Sequence, residues 1–123
     1  MIEENLIFNT CRESGDHGPI NSWDRQPFLT KTRTGSPSFV PLKRLIKGNL
    51  IFANYGGSQG VDNDDGSSDF LIEDNVFYMA EGLKMDYGGH DSEFTGNIVM
   101  AYPYDGQQCV NLGTFKPGHG HSA

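Results

Sequence analysis

The sequence predicts an all-β fold in which short parallel strands coil into a solenoid, a parallel β-helix. The first observation is a pattern in which a strand-like stretch reaches an asparagine and continues with apolar residues. It occurs four times, at residues 2–8, 46–52, 72–78 and 94–100, with the asparagines 44, 26 and 22 residues apart. The period is therefore about 22 residues with one long gap, which is typical of solenoids whose repeats bury their apolar faces against one another.

The second observation is the composition, and the third is the type of residue at which the strand-like stretches end. Glycine accounts for 16 of the 123 residues and charged residues for only 20%, which disfavours helices. The chain is long enough for one domain with a real core, so we expect a single β-helix segment over residues 1–123. Stretches of three to five strand-forming residues end at Gly, Asn or Asp corners, a pattern that favours a coiled parallel sheet over hairpins.

Each repeat divides into three predicted strands. One precedes the asparagine, as at residues 70–73, and one follows it, as at residues 76–79. The third begins at a glycine, as at residues 60–64 and 82–86, with residues 18–23 as the equivalent in the first repeat. The last copy is looser, around residues 108–112.

The recurring asparagines have a predicted structural role at the corners. Asn5, Asn49, Asn75 and Asn97 hold equivalent positions in the four copies. Asparagine tolerates left-handed backbone angles better than most non-glycine residues. Stacked turn upon turn, its side-chain amide can also bond to the next asparagine or to the backbone of the turn, so we expect both roles.

Two short patterns, Gly82-Leu83-Lys84-Met85 and Ile72-Glu73-Asp74-Asn75-Val76-Phe77, resemble the right-handed parallel β-helix of the pectate-lyase-like superfamily. The resemblance covers nearly the whole chain apart from residues 25–43, and residues 11–25 are similar to a stretch of uncharacterised β-helix proteins. It implies a right-handed helix with turns of about 22 residues. That superfamily holds lyases, hydrolases, epimerases and non-catalytic adhesins, so it leaves the activity open.

Charge and hydropathy narrow the class of partner. The formal net charge is −7, which disfavours nucleic acid because phosphate binding needs clustered Lys and Arg. No stretch approaches the roughly 20 apolar residues of a membrane span. The acidic N-terminal residues do not resemble a signal peptide and no helix caps the C-terminus, so we expect an excerpt of a longer protein or end-to-end self-association. Cys11 and Cys109 lie in the first and last repeats, too far apart for a disulfide.

The residues that break the period, 25–43, form a predicted loop rich in proline and basic side chains. Six of the nine Lys and Arg residues lie in or next to it: Arg25, Lys31, Arg33, Lys43, Arg44 and Lys47. Two interpretations stay open. The loop is either a solvated insertion or a positively charged wall beside a substrate groove, because long loops on rigid solenoids often shape binding sites.

The strands that begin at a glycine carry the side chains best suited to binding or catalysis. Side chains alternate along a strand, so if Ile20, Val61 and Leu83 point into the core, two rows point outward. The first row is Asn21, Asp62 and Lys84, and the second is Trp23, Asp64 and Asp86; Asp65, His17 and His90 lie beside them. We expect an acidic groove that binds or processes a polysaccharide, in an extracellular or cell-surface protein.

Three functions are compatible with this surface. In a glycoside hydrolase, Asp64 and Asp86 would form a close carboxylate pair and Asp62 with Asp86 a wide one, bracketing separations of roughly 5 to 9.5 Å. In a calcium-assisted lyase, Asp62, Asp64, Asp65 and Asp86 would hold Ca²⁺ and Lys84 would be the base, although flanking aspartates oppose a low lysine pKa. In a non-catalytic scaffold for adhesion or display, Lys84 would pair with Asp62 and Asp86. Trp23, Asn21, His17 and His90 are the predicted sugar contacts.

Overall fold

The computed structural model describes residues 1–23, 31–37, 42–55, 57–86, 89–100 and 109–112. These residues contain strands and no helix. The strands are β1 (Ile2–Glu3), β2 (Leu6–Thr10), β3 (Ile20–Trp23), β4 (Arg44–Lys47), β5 (Leu50–Asn54), β6 (Val61–Asp64), β7 (Phe70–Glu73), β8 (Val76–Tyr78), β9 (Leu83–Met85), β10 (Glu93–Thr95), β11 (Ile98–Met100) and β12 (Val110–Leu112).

The strands form three four-stranded parallel sheets. Sheet 1 has the order β1-β4-β7-β10, sheet 2 the order β2-β5-β8-β11 and sheet 3 the order β3-β6-β9-β12. Every third strand joins the same sheet, so each turn of the chain adds one strand to each sheet. This is a parallel β-helix, and the prediction of three strands per repeat is confirmed.

Strand register follows the repeat found in the sequence. In sheet 1, Ile46 pairs with Ile2 on one side and with Ile72 on the other, and Phe94 follows Ile72. The long gap falls between β3 and β4, as predicted. Of its residues, 31–37 form a turn closed by an antiparallel bridge between Lys31 and Pro37, while 24–30 and 38–41 lie outside the described residues.

The core is a column of inward side chains supplied by alternate positions of all three sheets. Its fully buried members include Ile46, Ile51, Val61, Ile72, Phe77, Leu83 and Met85. At the last described turn, the Phe94 ring packs against that of Phe77 with 5.9 Å between centroids. Burying this column is the main favourable term for a fold without helices, because each buried side chain contributes roughly 1.5–3 kcal/mol.

An asparagine ladder (Asn5, Asn49, Asn75 and Asn97) runs along the corner between sheets 1 and 2. The backbone N–H and the Nδ2 of Asn49 both donate to Oδ1 of Asn75, at 2.9 and 2.8 Å. Asn5 donates to Asn49, and Asn75 to Asn97, in the same way at 2.9–3.0 Å. Each Nδ2 also donates to a backbone carbonyl at the corner, as that of Asn75 does to Ile46 O at 3.0 Å. The predicted stacking of amides is confirmed.

The left-handed backbone angle at this corner belongs to the residue before each asparagine, which corrects the second predicted role. Glu4, Gly48, Asp74 and Gly96 have φ of 54°, 64°, 56° and 65°. The asparagine itself follows the bend, and its side chain turns inward to the ladder. Glu4 and Asp74 accept a conformation that costs a non-glycine residue roughly 1–2 kcal/mol because the ladder fixes the corner around them.

We predict that Asn75→Ala lowers the free energy of unfolding by about 3 kcal/mol, because it removes the acceptor of Asn49 and leaves buried carbonyl groups without their donor. Urea denaturation measures the change. The matched control is Asn21→Ala, whose exposed amide makes one long bond of 3.5 Å and whose loss should cost under about 0.5 kcal/mol. Equal losses in the two variants would contradict a stabilising ladder.

Candidate functional site

The predicted rows of polar residues lie on the outward side of sheet 3, which we call the glycine-led face. Asn21, Asp62 and Lys84 are in register on β3, β6 and β9, and Trp23 is in register with Asp64. The residues between these rows, such as Asn63 and Met85, are buried on the inward side. The sequence therefore predicted correctly that Asn21, Asp62 and Lys84 share one row and that Trp23 and Asp64 share the other.

Glycine begins these strands because the chain there passes against the backbone of the next turn. A Cβ at Gly82 would lie 2.1 Å from the carbonyl oxygen of Cys109, and one at Gly60 would lie 2.7 Å from that of Glu81. Both distances are too short for any side chain. The close approach brings consecutive turns into the spacing that stacks their polar side chains.

An ion cluster centred on Lys84 occupies the middle of the glycine-led face. Lys84 Nζ lies 3.1 Å from Asp62 Oδ1, 3.4 Å from Asp64 Oδ1 and 3.5 Å from Asp86 Oδ2. The Lys84 side chain is only 17% exposed. The structure thus brings together four of the predicted residues, with the ammonium group between three carboxylates.

Asp62 is buried, whereas the sequence placed it on a solvent-facing surface. Its side chain is 0% exposed. The reason is the segment before β3: the backbone N–H of Gly18 donates to Asp62 Oδ2 at 3.3 Å, and a Cβ at Gly18 would lie 3.1 Å from the Asp62 Cβ. This segment covers the carboxylate, so Asp62 pairs with Lys84 from the buried side of the cluster and is not open to a ligand.

The pKa of Lys84 is raised above its ordinary value of 10.5. Burial acts to lower the pKa, but the hydrogen bond and charge of Asp62, with the charges of Asp64 and Asp86, outweigh it. A lysine with a raised pKa is protonated at neutral pH. This counts against Lys84 as the base of an elimination reaction.

Trp23 lies at the exposed end of β3. Its side chain is 56% exposed, and its Nε1 donates to Asp65 Oδ2 at 3.2 Å. Asp65 is itself 3% exposed, so the indole is anchored at its polar edge while much of the ring meets solvent. Trp23, one of the predicted sugar contacts, is therefore open to solvent over much of its side chain.

Beneath Trp23 and Asp64 lies a small polar network that the sequence did not indicate. Ser22 Oγ is 2.9 Å from Asn63 Oδ1 and 2.8 Å from Ser67 Oγ. Asn63 and Ser67 are fully buried. Inward polar residues on β3 and β6 would have been the only signal, and they break the apolar alternation that we used to orient the strands.

The predicted histidine contacts are separate from the ion cluster. His17 is exposed, lies 3.7 Å from Asp16 through Nε2, and accepts a hydrogen bond from the Cys11 thiol at its carbonyl. His90 lies in the turn between β9 and β10, where its Nδ1 is 2.8 Å from Asp91 Oδ2. Among the described residues, neither imidazole has a hydrogen bond or an ion pair with Lys84 or its aspartates.

Three of the basic residues assigned to the wall of a groove are engaged on the side of sheet 1. Lys43 Nζ pairs with Glu93 at 3.3 Å and Lys47 Nζ with Glu73 at 2.6 Å. Arg44 donates to the carbonyl of Ser68 at 3.1 Å and covers the Phe70 ring. These three side chains therefore do not wall the glycine-led face; Arg25 lies outside the described residues.

The described residues contain no group of three or more His, Cys, Asp or Glu side chains arranged to hold a metal ion. At the ion cluster the reason is plain, since the Lys84 ammonium lies where a bound cation would sit. Cys11 and Cys109 are both free thiols, as expected from their separation.

Comparisons with protein-family models, with curated proteins and with solved structures found no match. No helix among the described residues is long and apolar enough to cross a membrane.

We predict that Lys84→Met lowers the free energy of unfolding at pH 7 by about 2 kcal/mol, because Asp62 loses its cationic partner while buried. The loss is below that of a fully buried pair because Lys84 keeps some contact with water. Urea denaturation of the wild type, of Lys84→Met and of Lys84→Met with Asp62→Asn measures it. The double variant should recover stability; no recovery would contradict the pairing.

The same variant gives a pH dependence. Because the folded-state pKa of Lys84 is raised, its contribution is fully present below about 10.5 and is lost as the pH rises through the higher folded value. The stability difference between the wild type and Lys84→Met should therefore be constant from pH 7 to 10 and shrink above. A difference that grows at alkaline pH would refute the assignment.

Proposed function

We propose that this β-helix is a non-catalytic glycan-binding module of the pectate-lyase-like type, which binds a polysaccharide along its glycine-led face. The observation that carries the proposal is Trp23, an indole 56% exposed and anchored at its Nε1 by a buried carboxylate. An extracellular or cell-surface location accords with such a ligand.

The groups around Trp23 are those that sugar recognition uses. The apolar face of an indole stacks on the C–H face of a pyranose ring, and amide and carboxylate oxygens accept hydrogen bonds from hydroxyl groups. Asn21 is exposed in β3, and Asp64 and Asp86 are 20% and 14% exposed beside it. A rigid parallel sheet presents these groups at about 4.8 Å intervals without having to reorganise on binding.

Binding accounts for the ion cluster better than a reaction does. Asp64 and Asp86 both lie within 3.5 Å of the same Lys84 nitrogen, so their nearest carboxylate oxygens are at most about 7 Å apart. That upper limit is compatible with the carboxylate separations of glycosidases. However, both carboxylates are already paired with the ammonium group, and Asp62 is closed off from solvent. Hydrolysis or elimination would require this cluster to open first.

Calcium does not fit the cluster as it stands. A Ca²⁺ site needs six to eight oxygen ligands around an open centre. The centre between Asp62, Asp64 and Asp86 holds the Lys84 ammonium, and Asp65 is directed to Trp23. We therefore assign no role to calcium in glycan binding.

We predict that neutral oligosaccharides change the fluorescence of Trp23, which is the single tryptophan of the chain. A glycan array identifies the ligand, and calorimetry then compares variants. Trp23→Ala should weaken binding at least about tenfold, as loss of an aromatic anchor does. The control is Tyr55→Ala, an aromatic 49% exposed just after β5, which should bind as the wild type does. An unchanged affinity of Trp23→Ala, or the absence of any ligand, would contradict the proposal.

We predict that the wild type binds Ca²⁺ more weakly than about 1 mM, the weak limit of extracellular calcium modules. Lys84→Met should bind at least about tenfold more tightly, because it empties the centre of the three carboxylates. Calorimetric titration measures both. Micromolar binding by the wild type that Asp64→Ala abolishes would instead support the calcium-assisted lyase.

A further inference from the structure

The outward side of sheet 2, which we call the apolar face, is unlike the outward sides of the other two sheets. Two rows of side chains cross all four strands in register. The aliphatic row is Leu6, Leu50, Val76 and Ile98, and the second, mostly aromatic, row is Phe8, Phe52, Tyr78 and Met100. Neither row contains a charged residue, although the chain has a net charge of −7.

Most of these side chains meet solvent. Leu6, Phe8, Leu50, Tyr78, Ile98 and Met100 are between 39% and 60% exposed. If a large apolar side chain presents roughly 200 Å² when fully exposed, the six together expose on the order of 600 Å². A contiguous apolar patch of that size is at the upper end of the largest patches on monomeric proteins, and such patches are often functional.

The geometry of the aromatic row disfavours a sugar as the occupant. The Phe8 and Phe52 rings are stacked, with 5.2 Å between centroids and 7° between planes. Rings stacked along the row cover each other's faces and present their edges outward. A pyranose stacks on a ring face, whereas ridged ring edges suit interdigitation with apolar side chains of a protein.

We propose that the apolar face is the interface of a homodimer, in which the sheet 2 of one copy packs on the sheet 2 of a second copy. A two-fold axis parallel to the solenoid axis, midway between the rows, sets the bulky row of each copy against the aliphatic row of the other. This fit of large against small side chains makes the face self-complementary, as an isologous contact requires. The sheets then pack about 10 Å apart, like the layers of a β-sandwich.

The area of the apolar face permits a second copy, and its lack of charge makes it the face on which two acidic chains repel least. Two chains that each carry −7 repel one another, and the apolar face is where they approach without adding charged contacts. On sheet 1, by contrast, the equivalent outward row contains Glu3, Lys47 and Glu73. The dimer buries on the order of 1,200 Å² in total, the lower end of the range for specific interfaces. The association is therefore weak and depends on protein concentration.

Sedimentation equilibrium tests the proposal on the whole chain between about 10 µM and about 1 mM, a range that covers weak dimers. The weight-average mass should rise from 13.6 kDa toward twice that value and no further. Added salt should strengthen the association because it screens the repulsion between copies. A monomer over the whole range would overturn the proposal.

Variants locate the contact. Tyr78→Glu, in the middle of the face, should weaken dimerisation at least about tenfold. Thr95→Glu adds the same charge to an exposed position of sheet 1 and should leave it unchanged. Tyr78→Ser removes the aromatic ring without adding charge. It replaces Tyr78→Glu in the test if circular dichroism shows that Tyr78→Glu does not fold. A dimer that both Tyr78 variants leave intact, or growth beyond two copies as in end-to-end stacking, would overturn the proposal.

Discussion

The asparagine ladder is the interaction on which the rest of this structure depends. Its asparagines join each turn to the next with two hydrogen bonds, one from the backbone and one from the side chain, at 2.8–3.0 Å. A parallel strand can slip by two residues and still keep its inward side chains inward. An asparagine that must bond to the asparagine of the next turn does not allow that slip. The ladder therefore fixes the register of all three sheets at one corner.

Fixed register turns a one-dimensional repeat into three different surfaces. Equivalent positions stack at strand spacing, so each outward row concentrates whatever residue type its position carries. On sheet 1 one outward row alternates Glu and Lys, which pair along the solenoid. On sheet 3 they gather three aspartates around Lys84. On sheet 2 they assemble a continuous apolar strip. A single substitution in a row therefore changes the surface of its neighbours on both adjacent turns.

What could be predicted from the sequence follows from the same rule. Spacing of the asparagines gave the turns, and strand alternation gave the rows of Asp62, Lys84, Trp23 and Asp64, because both depend on local periodicity. The burial of Asp62 was not predictable in this way, since it depends on Gly18, 44 residues earlier in the chain. The contacts of Lys43 with Glu93 and of Arg44 with Ser68 were missed because both partners lie far along the chain, in later turns of the solenoid. The left-handed angle of Asp74 was missed because turn propensity pointed to the asparagine beside it.

Hydrogen exchange of the asparagine side-chain amides, followed by NMR, tests the ladder most directly. We expect the Nδ2 protons of Asn49 and Asn75 to exchange as slowly as the backbone amides of the core strands, because opening them requires separation of the turns. The exposed amides of Asn9 and Asn21 in the same sample should exchange at the rate of free side chains. Fast exchange at Asn49 and Asn75 in a chain whose core strands remain protected would contradict a ladder that fixes the register.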